Sequence, residues 1–361
     1  PITSVGLGYR VDPVDGRSAG MGGTGIGLLG GTFSLRNPAD LLSHDAPGFG
    51  LAFAGESVSL EGGDAEIDTG RERFTTIRAL VPFGRWAVGL AFGGEFDQDW
   101  SARFQDTLTL EDGAVPFEEA REHDGGISAI DLSLARRIGP VSLGVSAQRL
   151  NGSLRKSFAR TFDAPLGGAP VLANAEGAQT LAYRAWRFKA GAAITVADRF
   201  IVSGALGLPG ILTVSSQTAE DPSAEIDIPA TVEVGGSARI SGSLLVTAAG
   251  GWGGWSDVGD LDGSISHDVT WAGAGLEWNS LQFLGGDLPL RLGARRAELP
   301  FSPAEEVLTE EALTGGLGWI FQQGRAGVDL AIEIGSRGDF ASGGLEESFR
   351  RFTLSFTLRQ Q

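Results

Sequence analysis

Apolar residues alternate with polar or small residues along most of the chain. Residues 326–334 read AGVDLAIEI, in which every second residue is apolar. A period of two residues is typical of a β-strand with one apolar face and one polar face. Fourteen segments of this kind follow one another after residue 47. They predict an all-β fold, a 14-stranded antiparallel up-and-down transmembrane β-barrel of the type found in bacterial outer membranes.

The connections between these segments alternate in length. Short joins such as Gly84-Arg85 and Ala197-Asp198 alternate with long ones such as 99–126 and 152–179. Outer-membrane barrels have short periplasmic turns and long outer loops. We therefore expect the N- and C-termini in the periplasm and the acidic stretch 111–124 in an outer loop.

The alternation also predicts which side chains face lipid. In residues 86–93 the larger apolar residues Trp86, Leu90 and Phe92 share one face with Val88. A charge on that face costs about 2–4 kcal/mol at the middle of a bilayer. Charged residues of the late strands should therefore face the lumen and form a network of ion pairs. The predicted members of this lumen network are Arg291, Arg295, Asp329, Glu333 and Arg351.

Residues 1–46 lack a long strand pattern and are rich in glycine and other small residues. We interpret them as an N-terminal hatch, or plug, inside a barrel formed by residues 47–361. The stretch 20–25 matches G-x-G-x-x-G, but neither a preceding strand nor an uninterrupted following helix is predicted, so a dinucleotide site is disfavoured. The candidate hatch and gating residues are Gly20, Gly22, Gly25, Asn37, Pro38 and Ala39.

Paired glycines at 93 and 94 fall within the third predicted strand. Glycine in a strand weakens it and marks bulges or close approaches. Gly93 and Gly94 are therefore either an ordinary strand end or a candidate lateral opening through which an apolar molecule leaves the lumen.

The amino-acid composition argues against several classes of function. The chain has no cysteine, which excludes disulfides, thiolate catalysis and Cys-ligated zinc. Its net charge of −17 and only two lysines argue against nucleic-acid binding. The tripeptides at 43–45 and 266–268 read Ser-His-Asp, but neighbours on a strand point to opposite faces, so neither is a catalytic triad. We predict no enzyme activity, cofactor or metal, and we interpret the acidic loop 257–263 as solvated.

The first residues, PITSVGLGYRVDP, contain no charged n-region and no apolar h-region. We therefore expect a mature chain from which an export signal has been removed.

Three motifs carry a family likeness. Residues 17–23 (RSAGMGG) followed by 37–41 (NPADL) resemble the N-terminal hatch of the FadL-type outer-membrane transporters, which carry fatty acids and aromatic hydrocarbons. Residues 228–233 (IPATVE), with Trp255-Ser256 closing the next strand, resemble the strand ends of that family. Residues 290–293 (LRLG) resemble its Arg-x-Gly strand.

The resemblance implies passive uptake of a hydrophobic small molecule. The ligand would enter from the outer loops, and a shift of the hatch or a kink in the third strand would open its route. The expected partners are outer-membrane lipids and a hydrophobic ligand such as a fatty acid. The alternative is a PorV- or PorQ-like interaction barrel, which would bind a protein partner of a secretion complex at the outer loops or the periplasmic end.

Overall fold

The computed structural model describes residues 5–62, 65–167, 170–217, 223–259, 261, 263–303, 305–339 and 345–360. Fourteen antiparallel strands form the wall, and we label them β1 to β14 in chain order. They are Gly48–Gly62, Ala65–Phe83, Trp86–Asp97, Gly113–Ile138, Val141–Phe162, Ala175–Val196, Phe200–Gly207, Thr231–Arg239, Leu244–Gly253, Val269–Trp278, Leu290–Glu298, Thr309–Phe321, Ala326–Asp339 and Leu345–Arg359.

The wall is a closed barrel. Each wall strand pairs with its neighbours in sequence, and β1 pairs with β14, where Leu51 lies opposite Phe356. Closure matters because a strand edge in a bilayer would leave backbone N–H and C=O groups without partners. The predicted fold class is therefore confirmed.

Side chains alternate across the wall as the sequence predicts. On β3, Leu90 is 57% exposed whereas Ala87 is fully buried. On β14, Phe352 and Phe356 are exposed on the outer face, while Thr353 is buried on the inner face. The outer surface of the barrel is thus an apolar belt, as a membrane-spanning barrel requires.

The prediction of long loops at 99–126 and 152–179 is wrong. Most of their residues are strand, because β4 and β5 have 26 and 22 residues where about 9–11 suffice to cross a bilayer. A further strand, Trp100–Leu110, pairs with the first part of β4. Because β4 begins at Gly113, most of the acidic stretch 111–124 is strand as well. Outside the apolar belt the outer face of a strand contacts water instead of lipid. The hydrogen-bond ladder therefore continues although the hydrophobic alternation stops.

The remaining elements are short. Gly210–Ser216 and Ala224–Ile228 continue β7 and β8 beyond interruptions at Pro209 and Pro229. Among the described residues, no helix is long and apolar enough to span a membrane. The other strands are Tyr9–Arg10, Leu166–Gly167, Ile265–Ser266, Gln282–Phe283, Gly286–Asp287 and Phe301–Ser302, and the helices are Gly16–Ala19 (α1) and the 3-10 turns Pro38–Ser43, Trp255–Val258 and Gln322–Gly324.

Candidate functional site

The chain before β1 lies inside the barrel, and we call residues 5–47 the inner segment. Most of its side chains are buried, including Met21 and Leu41. Asp15 organises it: one carboxylate oxygen caps α1 by accepting from the Ser18 N–H at 2.9 Å, and the other accepts from the Phe33 N–H at 2.7 Å. This N-cap joins the two halves of the inner segment.

The glycine run of the inner segment contacts the wall. Gly22 has a φ of +72°, which favours glycine, and its N–H donates to the Thr314 hydroxyl at 3.0 Å. A Cβ at wall residue Gly275 would lie 2.6 Å from the Met21 Cα, and one at Gly20 would lie 3.1 Å from the Gly316 Cα. Backbone therefore packs on backbone here, and side chains at these positions would separate the two.

Asn37, Pro38 and Ala39 dock on the opposite side of the lumen. The Asn37 side chain caps the 3-10 turn that begins at Pro38, accepting from the Ala39 N–H at 2.9 Å, and donates to the Ala192 carbonyl of β6 at 3.2 Å. A Cβ at wall residue Gly144 would lie 2.5 Å from the Ala39 nitrogen. Gly25 differs from these residues, because it packs against Ser34 and Val14 of the inner segment itself and not against the wall.

His44 lies near the end of the inner segment, ahead of β1 and outside the membrane-spanning strands. Its Nε2 lies 3.0 Å from the Thr32 carbonyl, so this nitrogen carries the proton. Burial lowers the pKa of His44 to about 4, with the nearby Arg359 and Arg78 acting in the same direction and the Thr32 hydrogen bond and Asp15 opposing them.

We predict that acid loosens the inner segment through His44. An undocked histidine titrates near 6.5, so docking is at full strength above that pH and weakens as the pH falls towards 4, by at most about 3 kcal/mol. Conductance in planar bilayers should rise between pH 7 and pH 4. His44→Gln, which keeps a donor but does not titrate, should remove the His44 part of this rise, and an unchanged pH profile in that variant would contradict the prediction.

The five predicted lumen charges form two separate groups. In the first, Arg291 binds Asp329 at 2.7 Å and Glu277 at 2.8 Å. Arg17 of the inner segment binds the same Glu277 through two hydrogen bonds of 2.8 Å. Glu277 therefore lies between a wall arginine and an inner-segment arginine, and the ion pairs hold the segment to the wall.

The second group surrounds Tyr9 of the inner segment. The Tyr9 hydroxyl donates to Glu310 at 3.2 Å and accepts from Arg351 at 2.7 Å. Arg295 and Arg351 share Glu333 at 2.8 and 3.3 Å. Sequence reasoning placed Arg295, Glu333 and Arg351 correctly on the inner face but omitted other buried charges that complete the group. Those charges are Glu56, Glu310 and Arg337.

The wall divides between β2 and β3 where the paired glycines lie. The last β2–β3 pair is Thr76 with Gly93, and beyond it β3 no longer pairs with β2. The inner segment takes the vacated edge instead: Tyr9 lies opposite Asp97, and the Val11 N–H donates to the Glu95 carbonyl at 3.0 Å. We call this division the β2–β3 split.

The glycines leave room for the inner segment at the split. A Cβ at Gly93 would lie 3.1 Å from the Leu35 Cδ1, and one at Gly94 would lie 3.4 Å from the Val11 Cβ. Side chains of the inner segment thus cover the split from the lumen.

An apolar cluster fills the lumen at the end with the long connections, and we call it the apolar chamber. It contains inward residues of the wall and side chains from the connections, which pack around Leu7 of the inner segment. Trp255 is 2% exposed, and its ring contacts Phe96 and Phe301 edge-on. The remaining members come from the wall strands and from the continuations of β7 and β8, and they are Ile127, Ala129, Leu150, Leu154, Tyr183, Ala185, Leu212, Ile228 and Val269.

The apolar chamber was missed from the sequence. Its wall residues lie on the inner face, which the alternation had marked as polar or small. A signal was present in β5, where Leu150 and Leu154 continue the inward register of Gln148 beyond the apolar belt.

The inner segment packs closely against the wall around Tyr9. Two small cavities adjoin Tyr9, with volumes of about 40 and 20 Å³. These spaces hold at most a few waters.

Comparison with known proteins gives the fold. No protein-family model and no curated protein matches the chain. A Pseudomonas aeruginosa FadL homologue matches with 14% identity and a TM-score of 0.63, covering 97% of this chain and 100% of that one. The Ralstonia pickettii toluene transporter TbuX matches with 16% identity and a TM-score of 0.62, covering 97% and 99%. The P. putida toluene transporter TodX matches with 15% identity and a TM-score of 0.60, covering 98% and 99%.

Identities this low establish architecture only. The structural alignments extend over almost the whole of each molecule. The chain therefore has the 14-stranded barrel fold of the FadL homologues and toluene transporters.

Proposed function

We propose that the chain is a bacterial outer-membrane channel for passive uptake of hydrophobic small molecules such as fatty acids. The long connections face outward and both termini face the periplasm. Residues 1–46 act as the hatch, and the barrel comprises residues 47–361. Residues 1–4 lie outside the described residues.

The apolar chamber carries this proposal. A chamber of apolar side chains joined to a wall division suits a ligand that avoids water. In the closed state Leu7 of the inner segment occupies the chamber, and Val5 packs against it. An entering ligand would replace these side chains. The freed segment would then uncover the β2–β3 split, where Gly93 and Gly94 offer a lateral exit into the membrane.

An open groove on the extensions of β4 and β5 supports ligands that carry an acid group. It has a volume of about 570 Å³ and is lined by Phe158 together with Arg121, Lys156 and Arg160. One carboxylate, Glu119, binds both arginines. The lining thus places three cationic side chains and one carboxylate beside an apolar ring, which suits the two ends of a fatty acid.

The remaining interpretations are weaker. A PorV- or PorQ-like role has no specific observation in its favour. No observation among the described residues favours catalysis either. Those residues contain no group of side chains that could bind a metal ion. Asp260 and Asp262 of the acidic loop lie outside the described residues.

We predict that the full chain promotes oleate uptake. Gram-negative cells lacking a fatty-acid channel of their own should take up labelled oleate several-fold faster when they produce it, without becoming sensitive to large hydrophilic antibiotics. Deleting residues 1–46 should leave a folded barrel but make those cells antibiotic-sensitive, because the lumen filling is gone.

Uptake of labelled toluene, measured in the same cells, distinguishes failure of the fatty-acid assignment from failure of the proposed function. Uptake of toluene without oleate would overturn the fatty-acid assignment but keep a hydrophobic channel. Uptake of neither would contradict the proposed function. Unchanged antibiotic sensitivity after the deletion would contradict the hatch.

A further inference from the structure

Two arginines lie on the outer face of the barrel at the edge of its apolar belt. Along β5 the outward residues Leu143 and Val145 are exposed and apolar, and the next charged outward residue is Arg149. Along β6 the exposed Trp186 is followed on the same face by Arg184. A tryptophan at this level is typical of the interface between hydrocarbon and headgroups. The two guanidinium groups are therefore at headgroup height.

The two arginines are close neighbours. Arg149 lies opposite Trp186 and Asn151 lies opposite Arg184, so the arginines are diagonal partners on adjacent strands. Diagonal partners lie about 7–8 Å apart. The Arg149 guanidinium carbon lies 5.3 Å from the centre of the Trp186 ring, which fixes its orientation. The pair thus presents two planar donor groups in one direction.

Their charge is not neutralised by the protein. Within the part of the chain that the structure describes, neither guanidinium forms an ion pair with a carboxylate. Glu225 shares their face but is two strands from Arg184, about 10 Å away. By contrast, the outward Arg296 is paired with Glu311 at 3.2 Å. In a chain with a net charge of −17, this is a local positive site.

We propose that Arg149 and Arg184, with Trp186 and Asn151 beside them, bind the phosphorylated headgroup of a lipid in the outer leaflet. Guanidinium groups bind phosphate oxygens through paired hydrogen bonds. The Asn151 amide adds a further donor, and the apolar side chains below accept the acyl chains. The choice of leaflet rests on the proposed orientation of the barrel, whereas the binding itself does not depend on transport.

Native mass spectrometry of the purified full chain, titrated with lipid A in detergent, tests this site. We expect saturable binding of lipid A and at least a fivefold weaker affinity for the double variant Arg149→Ala/Arg184→Ala. Arg149→Lys/Arg184→Lys should retain part of the affinity. The matched control is Arg136→Ala, because Arg136 stacks on Trp86 at 4.9 Å on the opposite rim; its affinity for lipid A should not change.

The ligand controls identify what is bound. The unmodified chain should bind dephosphorylated lipid A only weakly. Its affinity should be similar to the affinity of the double alanine variant for intact lipid A. Equal binding of phosphorylated and dephosphorylated lipid A would overturn the proposal, as would unchanged affinity in the double variant. Competition by millimolar inorganic phosphate alone would show a simple anion site and overturn the lipid assignment. Binding of phosphatidylglycerol in place of lipid A would overturn the choice of leaflet.

Discussion

A disulfide between Val11→Cys and Gly94→Cys is expected to abolish uptake of a hydrophobic probe when oxidised and to restore it when reduced. The Val11 Cβ lies 3.4 Å from the position that a Cβ at Gly94 would occupy, close to the separation of about 3.5–4.5 Å found in disulfides. The bond would fix the inner segment across the β2–β3 split. The chain has no cysteine of its own, so no other thiol competes.

Oleate uptake by cells, with and without reductant, measures this effect. The single-cysteine variants should respond to neither condition. A control disulfide between Ser101→Cys and Glu122→Cys joins residues that lie opposite each other in the long-connection hairpin, away from the split, and should leave uptake unchanged. Full uptake by the oxidised Val11–Gly94 pair would exclude movement of the segment at the split.

Replacing Glu56 by alanine should destabilise the protein by about 3–5 kcal/mol, the range observed when one partner of a buried ion pair is removed. Glu56 is 3% exposed and accepts from Arg337 and Arg351 at 2.8 Å each. Without it, the guanidinium groups would remain buried with an excess of positive charge. The midpoint of urea unfolding in detergent, followed by tryptophan fluorescence, measures the change.

Glu118 supplies the matched control. It is an exposed carboxylate on the extension of β4, so Glu118→Ala should change the free energy of unfolding by no more than about 0.5 kcal/mol. Equal effects of the two substitutions would show that the charged group around Tyr9 contributes no special stability.

The wall was predictable because lipid imposes a strict rule. In the belt, every second residue must be apolar, and the sequence of β3 and β14 follows that rule. Beyond the belt the rule ends, which is why the extensions of β4 and β5 were interpreted as loops. Strand pairing there depends on neighbouring strands rather than on a hydrophobic pattern.

The site was predictable only in part. The inward positions of Arg295, Glu333 and Arg351 followed from the alternation. Their partner Tyr9 did not, because it comes from a segment without periodicity and meets them only through the closed barrel. The replacement of β2 by the inner segment at Gly94 also escaped sequence reasoning, since no local signal shows which strand edge is free.

The barrel closes where β1 pairs with β14, and this position has a consequence for assembly. The inner segment enters the lumen directly ahead of β1. Its arginines Arg17 and Arg36 bind wall carboxylates on β10 and β8, so a barrel that closed empty would leave Glu233 without Arg36 and Glu277 with Arg291 as its counter-charge. We therefore expect the wall of the full-length chain to form around the segment, so that β1 and β14 pair after the segment is in place, and we expect a barrel that lacks the segment to fold with lower stability.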